Sequence, residues 1–491
     1  VLTTAPLSTI IALARAGALD HAWYQFSAAG YDAREDDPAA LAVKGRLLKD
    51  RALRASGEER RLFYLQSAEA YRRAATLQQG TYPLINAATL SLLSGDRDQG
   101  EEIAREVLDR IAAEPDEPET PYWRAATEAE ALLILGRTAE ARAALEAAIA
   151  AAPRAWEDHA STLRQFIAIH EALGTDPAWL DLLRPPRTVH YAGTDMTGDG
   201  IADAFERGQV GFGFGALAAG AEIVAAEALL ARGAELHVVL PADAAHFAAL
   251  YVDPHGPAWR ARFDAALEAA ESVQLVRPLG GAPQARLLAL ADRIAFGAAL
   301  LNAERLMGEA FELRFGETGD AAGATGEDPR APLLSLLAVS VGGAAEEGFE
   351  ARLSEVREAL ALAQGAALAP HLSGDCILAG YAGPVEAAAA ARLIHSRLRD
   401  RIKLRIAGHH GLIGCVRDPF LGTQRPTESG AAIVEAIAGA IPADTICVSG
   451  DFAAMLAATS GAPSEANWIG ELQAFDGGPA IGLYALRTGA P

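Results

Sequence analysis

The chain has 491 residues, too many for one hydrophobic core, so several domains are expected. Hydrophobic residues make up 51%, much of it alanine, and aromatics only 6%, a mix that favours helices with small contact residues because alanine loses least entropy on entering a helix. A formal charge of −22, from 64 acidic against 42 basic side chains, repels a phosphate backbone and argues against nucleic acid as a partner.

Cys376, Cys415 and Cys447 lie in the last quarter with no CxxC spacing, which points to a reducing compartment and away from a zinc or disulfide framework. No apolar run reaches the ~18 residues of a membrane span; the best stretch, 210–231, is interrupted by Glu222 and Glu227. The N-terminus lacks the basic-then-apolar pattern of a secretory signal. The expectation is a soluble cytoplasmic protein with no membrane partner.

Residues 1–184 read as helix throughout, with small and apolar residues at three- and four-residue spacing. ALARAGALDHAWYQF, ATLSLLSGDRDQGEEIA and AEALLILGRTAEARAAL share one grammar: an apolar helix, a glycine (Gly17, Gly95, Gly136), then a second helix. Glycine suits the left-handed position that closes the first helix of each pair. Gly95 and Gly136 lie about 41 residues apart, a looser version of the ~34-residue tetratricopeptide (TPR) period, and helical-hairpin repeats are the reading. YPLINAATLSLLSGD (82–96) and YWRAATEAEALLILG (122–136) go further. They resemble the helical TRAF-binding region of the apoptosis-signalling MAP kinase kinase kinases and its bacterial relatives, over most of residues 60–180. That resemblance implies a regulatory scaffold that binds a protein partner. Tyr82, Asn86, Tyr122 and Trp123 are expected to pack between helices.

LLRPPR (182–187) ends the helical region, since two prolines stop a helix and start extended chain. RTVHYAG and QVGFGFGAL read as strands, and the second hands over through AAGAE to the helix IVAAEALLARG and the strand ELHVVLP. This βαβ unit predicts a Rossmann-like α/β domain over 187–305 with a parallel sheet. Glycines where a strand meets a helix place backbone N–H groups and the helix dipole where an anion can sit. Gly213 and Gly215 fit the dinucleotide fingerprint, Ala218 takes its third place, and no Lys-Ser/Thr follows Gly220, so this is not a P-loop. The spacing resembles SLOG and lysine-decarboxylase-like domains, which implies a nucleotide-like ligand held at Gly213, Gly215 and Gly220 and faced by Glu222 and Glu227; a structural tight turn with solvated carboxylates is the other reading.

DMTGDGIADAFE (195–206) sets Asp195, Thr197, Asp199, Gly200, Asp203 and Glu206 at the spacing of a calcium-binding EF-hand loop. It follows a strand rather than an entering helix, so an acidic surface loop capping the next helix competes with Ca²⁺ binding.

GETGDAAGATGEDPRAP (316–332) is of low complexity, and 306–332 is expected to be a linker. From Leu333 the order strand LLSLLAVSVGG, helix 346–364, hairpin HLSGDCILAGY, helix 384–399, strand IKLRIAGHHG, helix 430–440 and strand TICVSG fits an α+β fold of ferredoxin-like type over 333–491. The HLSGDCI hairpin, TICVSGDFAAML and IGELQAFDGGPAIGLYAL, following the middle domain, resemble a bacterial family that joins such an α/β domain to a class III adenylate/guanylate cyclase domain.

That resemblance implies two carboxylates holding paired metal ions, one ending the first strand and one in the hairpin. Here the strand position is Ser340, and Asp375 in the hairpin is the surviving carboxylate, able to hold hydrated Mg²⁺ only weakly. The base-selecting lysine aligns with His371, and the Asn and Arg that steady the transition state fall near Ala432 and Ala436. Losing one preorganised donor typically costs about 3 kcal/mol in barrier. The expectation is a signalling protein whose cyclase-like domain is catalytically degenerate and forms homodimers. An active cyclase and a SLOG-type nucleotide-processing enzyme are the alternatives. His409 and His410, as strand neighbours, point to opposite faces and do not chelate a metal together. Ser449 and Asp451 lack the setting of a nucleophile elbow.

Overall fold

The computed structural model describes residues 5–78, 80–113, 120–193, 195–276, 284–316, 330–342, 347–420, 422–475 and 480–488. The chain divides into two compact units, Val1–Pro185 and Pro186–Pro491. Among the described residues no helix is long and apolar enough to cross a membrane.

The first unit contains α1 (Leu7–Arg15), α2 (Leu19–Ala28), α3 (Pro38–Arg54), α4 (Gly57–Gln78), α5 (Thr81–Leu93), α6 (Arg97–Ala113), α7 (Pro121–Ile134), α8 (Thr138–Ala151) and α9 (Trp156–Leu173). Gly17, Gly95 and Gly136 all have positive φ, as their place after an apolar helix predicts. At each, the next residue's N–H reaches back around the turn: Ala18 to Leu13 O at 3.0 Å, Asp96 to Ser91 O at 3.0 Å and Arg137 to Leu132 O at 2.9 Å. This satisfies carbonyls that a helix end leaves open. Small residues let paired helices close up, as at Gly45, where a Cβ would lie 2.6 Å from the Tyr71 ring. Tyr122 and Asn86 are buried and Trp123 half-buried, Tyr122 donating to Thr162 Oγ1 at 3.0 Å. Tyr82 departs from expectation: it is 52% exposed, its ring edge-on to Tyr71, because at the second position of α5 it points outward between buried Thr81 and Pro83.

The second unit opens with a five-stranded parallel sheet of order β4-β3-β2-β1-β5. Its strands are β1 (Arg187–Gly193), β2 (Val210–Gly215), β3 (Glu235–Leu240), β4 (Ser272–Leu275) and β5 (Ala310–Phe315). The helices are α10 (Ile201–Arg207), α11 (Ala221–Ala231), α12 (Ala244–Tyr251), α13 (Pro257–Glu268) and α14 (Gln284–Leu306). The expected linker 306–332 starts on the last residue of α14 and includes a strand: Thr188 to Gly193 pair with Ala310 to Phe315, so residues 310–315 complete the sheet. Alternation of apolar with charged residues in AFELRF suits an edge strand, and the low-complexity stretch beside it masked that signal.

A seven-stranded mixed sheet follows, of order β13-β14-β12-β9-β6-β8-β7. It comprises β6 (Leu333–Ser340), β7 (Ala366–Ser373), β8 (Cys376–Tyr381), β9 (Arg405–Leu412), β12 (Thr445–Ser449), β13 (Ala466–Leu472) and β14 (Ile481–Leu486), while β10 (Cys415–Arg417) and β11 (Gln424–Pro426) pair separately as a two-stranded arm. One face buries α15 (Phe349–Leu362), α16 (Pro384–Leu398) and α18 (Gly450–Ser460), and the other buries α17 (Glu428–Ala440). The first face also takes in α14. One apolar cluster runs from Val239 and Val276 through Leu290 and Ile294 to Leu337, Ile406 and Phe452. Contact between α14 and α18 is close enough that a Cβ on Gly297 would sit 1.8 Å from the Ala454 carbonyl oxygen.

Candidate functional site

Two places in the second unit gather the chemistry. The first is the crevice at the carboxyl ends of β1 and β2, where the strand order turns back at β1, between β2 and β5. Ligands of open parallel sheets bind outside such a switch point.

The glycines there answer to the chain itself. A Cβ on Gly213 would meet Leu229 Cδ1 at 2.1 Å, one on Gly215 the Tyr191 carbonyl at 2.5 Å, and one on Gly220 (φ +111) the Asp195 carbonyl at 2.6 Å. They let β1, β2 and α11 approach one another closely. Glu222 turns back from the first turn of α11 and accepts from Ala218 N at 2.8 Å and Gly193 N at 3.5 Å. Its carboxylate thus fills the spot where the backbone amides were expected to receive a ligand's anion. Burial pushes Glu222 up to about 6, against the pull of those two N–H groups. Glu227 does not face the crevice. It forms a two-pronged ion pair with Arg262 of α13, both contacts 2.7 Å, because it lies beyond the first turn on the α13 side of α11.

Beneath this loop Tyr191 is fully buried, and its hydroxyl finds no hydrogen-bond partner among the described residues. His190 is equally buried, its Nδ1 3.1 Å from Glu312 Oε1 and its Nε2 3.2 Å from Asp292 Oδ1. Arg314 donates to Asp292 at 2.9 Å and to Glu312 at 2.8 Å, closing a four-residue network. Burial would raise Asp292, but hydrogen bonds from His190 and Arg314 outweigh it and hold the carboxyl below its usual range. Nothing in the sequence near HYAG announces this network, since Asp292, Glu312 and Arg314 sit on α14 and β5 more than a hundred residues along the chain. Glu222, Asp292 and Glu312 are thus partnered within the chain, by the Ala218 and Gly193 amides, His190 and Arg314.

Asp195 Oδ1 accepts from Thr197 N at 2.9 Å and Thr197 Oγ1 at 3.0 Å, hydrogen bonds that hold this carboxyl below its usual range. The helix α10 starts at Ile201, where an EF-hand would offer a backbone carbonyl, and Asp199, Asp203 and Glu206 are exposed to solvent. Among the described residues no three His, Cys, Asp or Glu side chains gather to hold a metal ion.

The second place is the end of the mixed sheet. Ser340 pairs in register with Cys376 on one side and Arg405 on the other, and Cys376 with Ser373. Residues directly opposite in antiparallel strands share a face, so Arg405, Ser340, Cys376 and Ser373 form one polar row on the α17 side. Ser340 is buried and hydrogen-bonded to the Cys376 thiol. Burial, with the nearby Glu435 and Asp375 carboxylates, pushes that thiol up to about 11. Glu435 of α17 accepts from Ser373 Oγ at 2.6 Å. Asp375 lies exposed in the β7–β8 turn beside Gly374 (φ +55). His371 is half-buried on β7, and Ala432 and Ala436 are half-buried on α17. Glu435, three residues from Ala432 and so on the same helix face, escaped the sequence reading, which looked there for donors only. His409 and His410 point to opposite faces, to Ser449 Oγ and Ser335 Oγ, each at 2.8 Å.

A family model described as Tetratricopeptide Repeats-Sensor matches residues 8–91. No curated protein matches the chain. Among solved structures, an adenylate cyclase from Trypanosoma brucei in its monomeric state is similar over 33% of this chain and 91% of its own, at 9% identity and a TM-score of 0.28. The adenylyl cyclase CyaB from P. aeruginosa is similar over 33% and 96%, at 12% identity and a TM-score of 0.26. A dimeric guanylyl cyclase domain of the RhoGC fusion protein from the aquatic fungus Blastocladiella emersonii is similar over 32% and 96%, again at 12% identity and 0.26.

Proposed function

We propose that the chain is a signalling protein that regulates rather than catalyses. In this reading its helical repeats bind a protein partner. The Rossmann-like sheet takes a nucleotide-derived ligand through hydroxyl or amino groups, and the class III cyclase-like domain has lost turnover and serves as a dimerising module. One observation carries the last point: the row Arg405–Ser340–Cys376. A cyclase needs two carboxylates there to clamp a pair of dications. This row offers a hydroxyl, a thiol held protonated, and a guanidinium whose fixed positive charge opposes a metal ion at the same spot, while the carboxylates nearby are Asp375, exposed in the turn, and Glu435, which already accepts from Ser373 Oγ. The residues present do not fit paired Mg²⁺ ions.

The test is incubation of the full chain with ATP or GTP and Mn²⁺, with chromatographic detection of cyclic nucleotide. No product above the protein-free control is expected. Sustained production that Asp375→Ala abolishes would overturn the reading.

A further inference from the structure

α3, α5 and α7 are the first helices of three successive pairs in the helical unit, and α5 packs directly on α7. Stacked helical pairs present a concave surface on which such solenoids bind their partners. The last helix, α9, lies across these first helices instead of extending the stack. It packs on α5 and α7 more than on α8, the helix before it, and its Gln165 reaches α3.

His159, Thr162, Leu163, Phe166, Ile169 and His170 of α9 are buried at three- and four-residue spacing, one stripe down the helix. Polar contacts tie this stripe to all three helices beneath. Lys49 Nζ of α3 donates to Gln165 Oε1 at 2.9 Å, and Gln165 Nε2 donates to Glu130 Oε1 of α7 at 2.7 Å. Thr89 of α5 donates to the same Glu130 oxygen, and Tyr122 of α7 donates to Thr162 Oγ1 at 3.0 Å. The Gln165 amide therefore bridges a cation and a carboxylate with both its ends.

This seat selects its occupant more than it tightens the hold. Burial pulls Lys49 down and pushes Glu130 up from their ordinary values, so both charges are kept from water at a cost. Withdrawal of α9 would return them to solvent and offset part of the lost apolar burial. α5, buried along almost its whole length, gains nothing comparable by leaving. As the last α-helix of its unit, α9 can also depart without splitting a repeat.

We propose that α9 is an internal occupant of the partner groove, and that the protein partner of the repeats is an amphipathic helix of the same pattern, an apolar stripe with an amide beside it, which displaces α9. The proposal deepens the reading of the repeats as a partner-binding scaffold and rests on it.

A fluorescently labelled synthetic peptide of residues 155–175, titrated against the full chain and followed by anisotropy, tests it. The native chain, its groove filled, is expected to bind the peptide weakly. Phe166→Asp unseats α9 and should bind it on the order of 10-fold more tightly. A peptide carrying Gln165→Leu leaves Lys49 and Glu130 without their bridge, and should bind that variant on the order of 10-fold more weakly. Hydrogen exchange of the native chain needs no variant: α9 should exchange on the order of 10-fold faster than α5 and α7. Equal binding by native and variant chains, a variant that keeps its repeats folded yet binds no peptide, undiminished binding of the altered peptide, or exchange of α9 in step with α5 and α7 would each overturn the proposal. A bound peptide that no cellular protein competes away would instead overturn the partner reading and leave α9 as the occupant of the groove, so the two failures are distinct.

Discussion

A single carboxylate, Glu222, shows how local chemistry redirects an expectation. Glycines at a strand-to-helix handover signal an anion site in general, yet here the chain supplies the anion itself, from the first turn of the same helix. The arrangement has a measurable signature. A carboxyl whose folded value is raised to about 6 from its ordinary 4.5 favours the protonated form. Its contribution is complete below the unfolded value and lost as pH rises through the folded one. Glu222→Gln should therefore gain on the native chain by roughly 2 kcal/mol between acid and neutral pH. The difference in melting temperature between the two proteins, followed across that range, checks it; a difference independent of pH would show that Glu222 is not buried as described. Much at this scale was legible from sequence: Gly17, Gly95 and Gly136 carry positive φ where an apolar helix must stop. What was not legible was partnership. Glu227 looks in sequence like a second crevice carboxylate, and only the packing of α13 on α11 commits it to Arg262.

At the scale of elements, the order of strands and helices followed from period and punctuation, and most boundaries fell within a few residues of expectation. The hairpin HLSGDCILAGY, the helix at 384 and the strand through His409 and His410 form as read. Two features escaped. One is β5, a short edge strand beside a low-complexity run, whose pairing with β1 is a long-range event that no local pattern encodes. The other is the polar row Arg405–Ser340–Cys376–Ser373, created by cross-strand register and therefore invisible until the sheet closes. Close approach of elements gives a sharper prediction. A methyl group on Gly297 collides with backbone, the Ala454 carbonyl, whereas one on Gly213 meets the far end of the flexible Leu229 side chain. Gly297→Ala should cost about 3 kcal/mol, the upper end of the usual overpacking range, and Gly213→Ala about 1 kcal/mol. Denaturant melts of the two variants would rank them; equal losses would refute the α14–α18 contact.

For the whole molecule, composition set the terms. An alanine-rich, strongly acidic chain builds helical repeats and α/β layers. The sequence suggested a middle domain standing apart from a C-terminal one, but in the structure both belong to the unit Pro186–Pro491, because α14 lends one face to each sheet. Residues 186–491 expressed alone should give a soluble, cooperatively melting fragment. Residues 186–316 alone should aggregate, since Ile294, Ala295 and Leu301 would lose their cover. Size-exclusion chromatography and circular dichroism distinguish the outcomes, and a well-folded shorter fragment would show that the shared interior is dispensable.

That shared helix also bears on ancestry. A gene fusion that borrowed only one of the sheets would inherit α14 with half its apolar surface bare, and selection would discard the product before any signalling role could be tried. Recombination among such chains should consequently break ahead of β1 and spare the stretch from β5 to β6, so that the paired sheets travel as one heritable cassette while the repeats in front are exchanged.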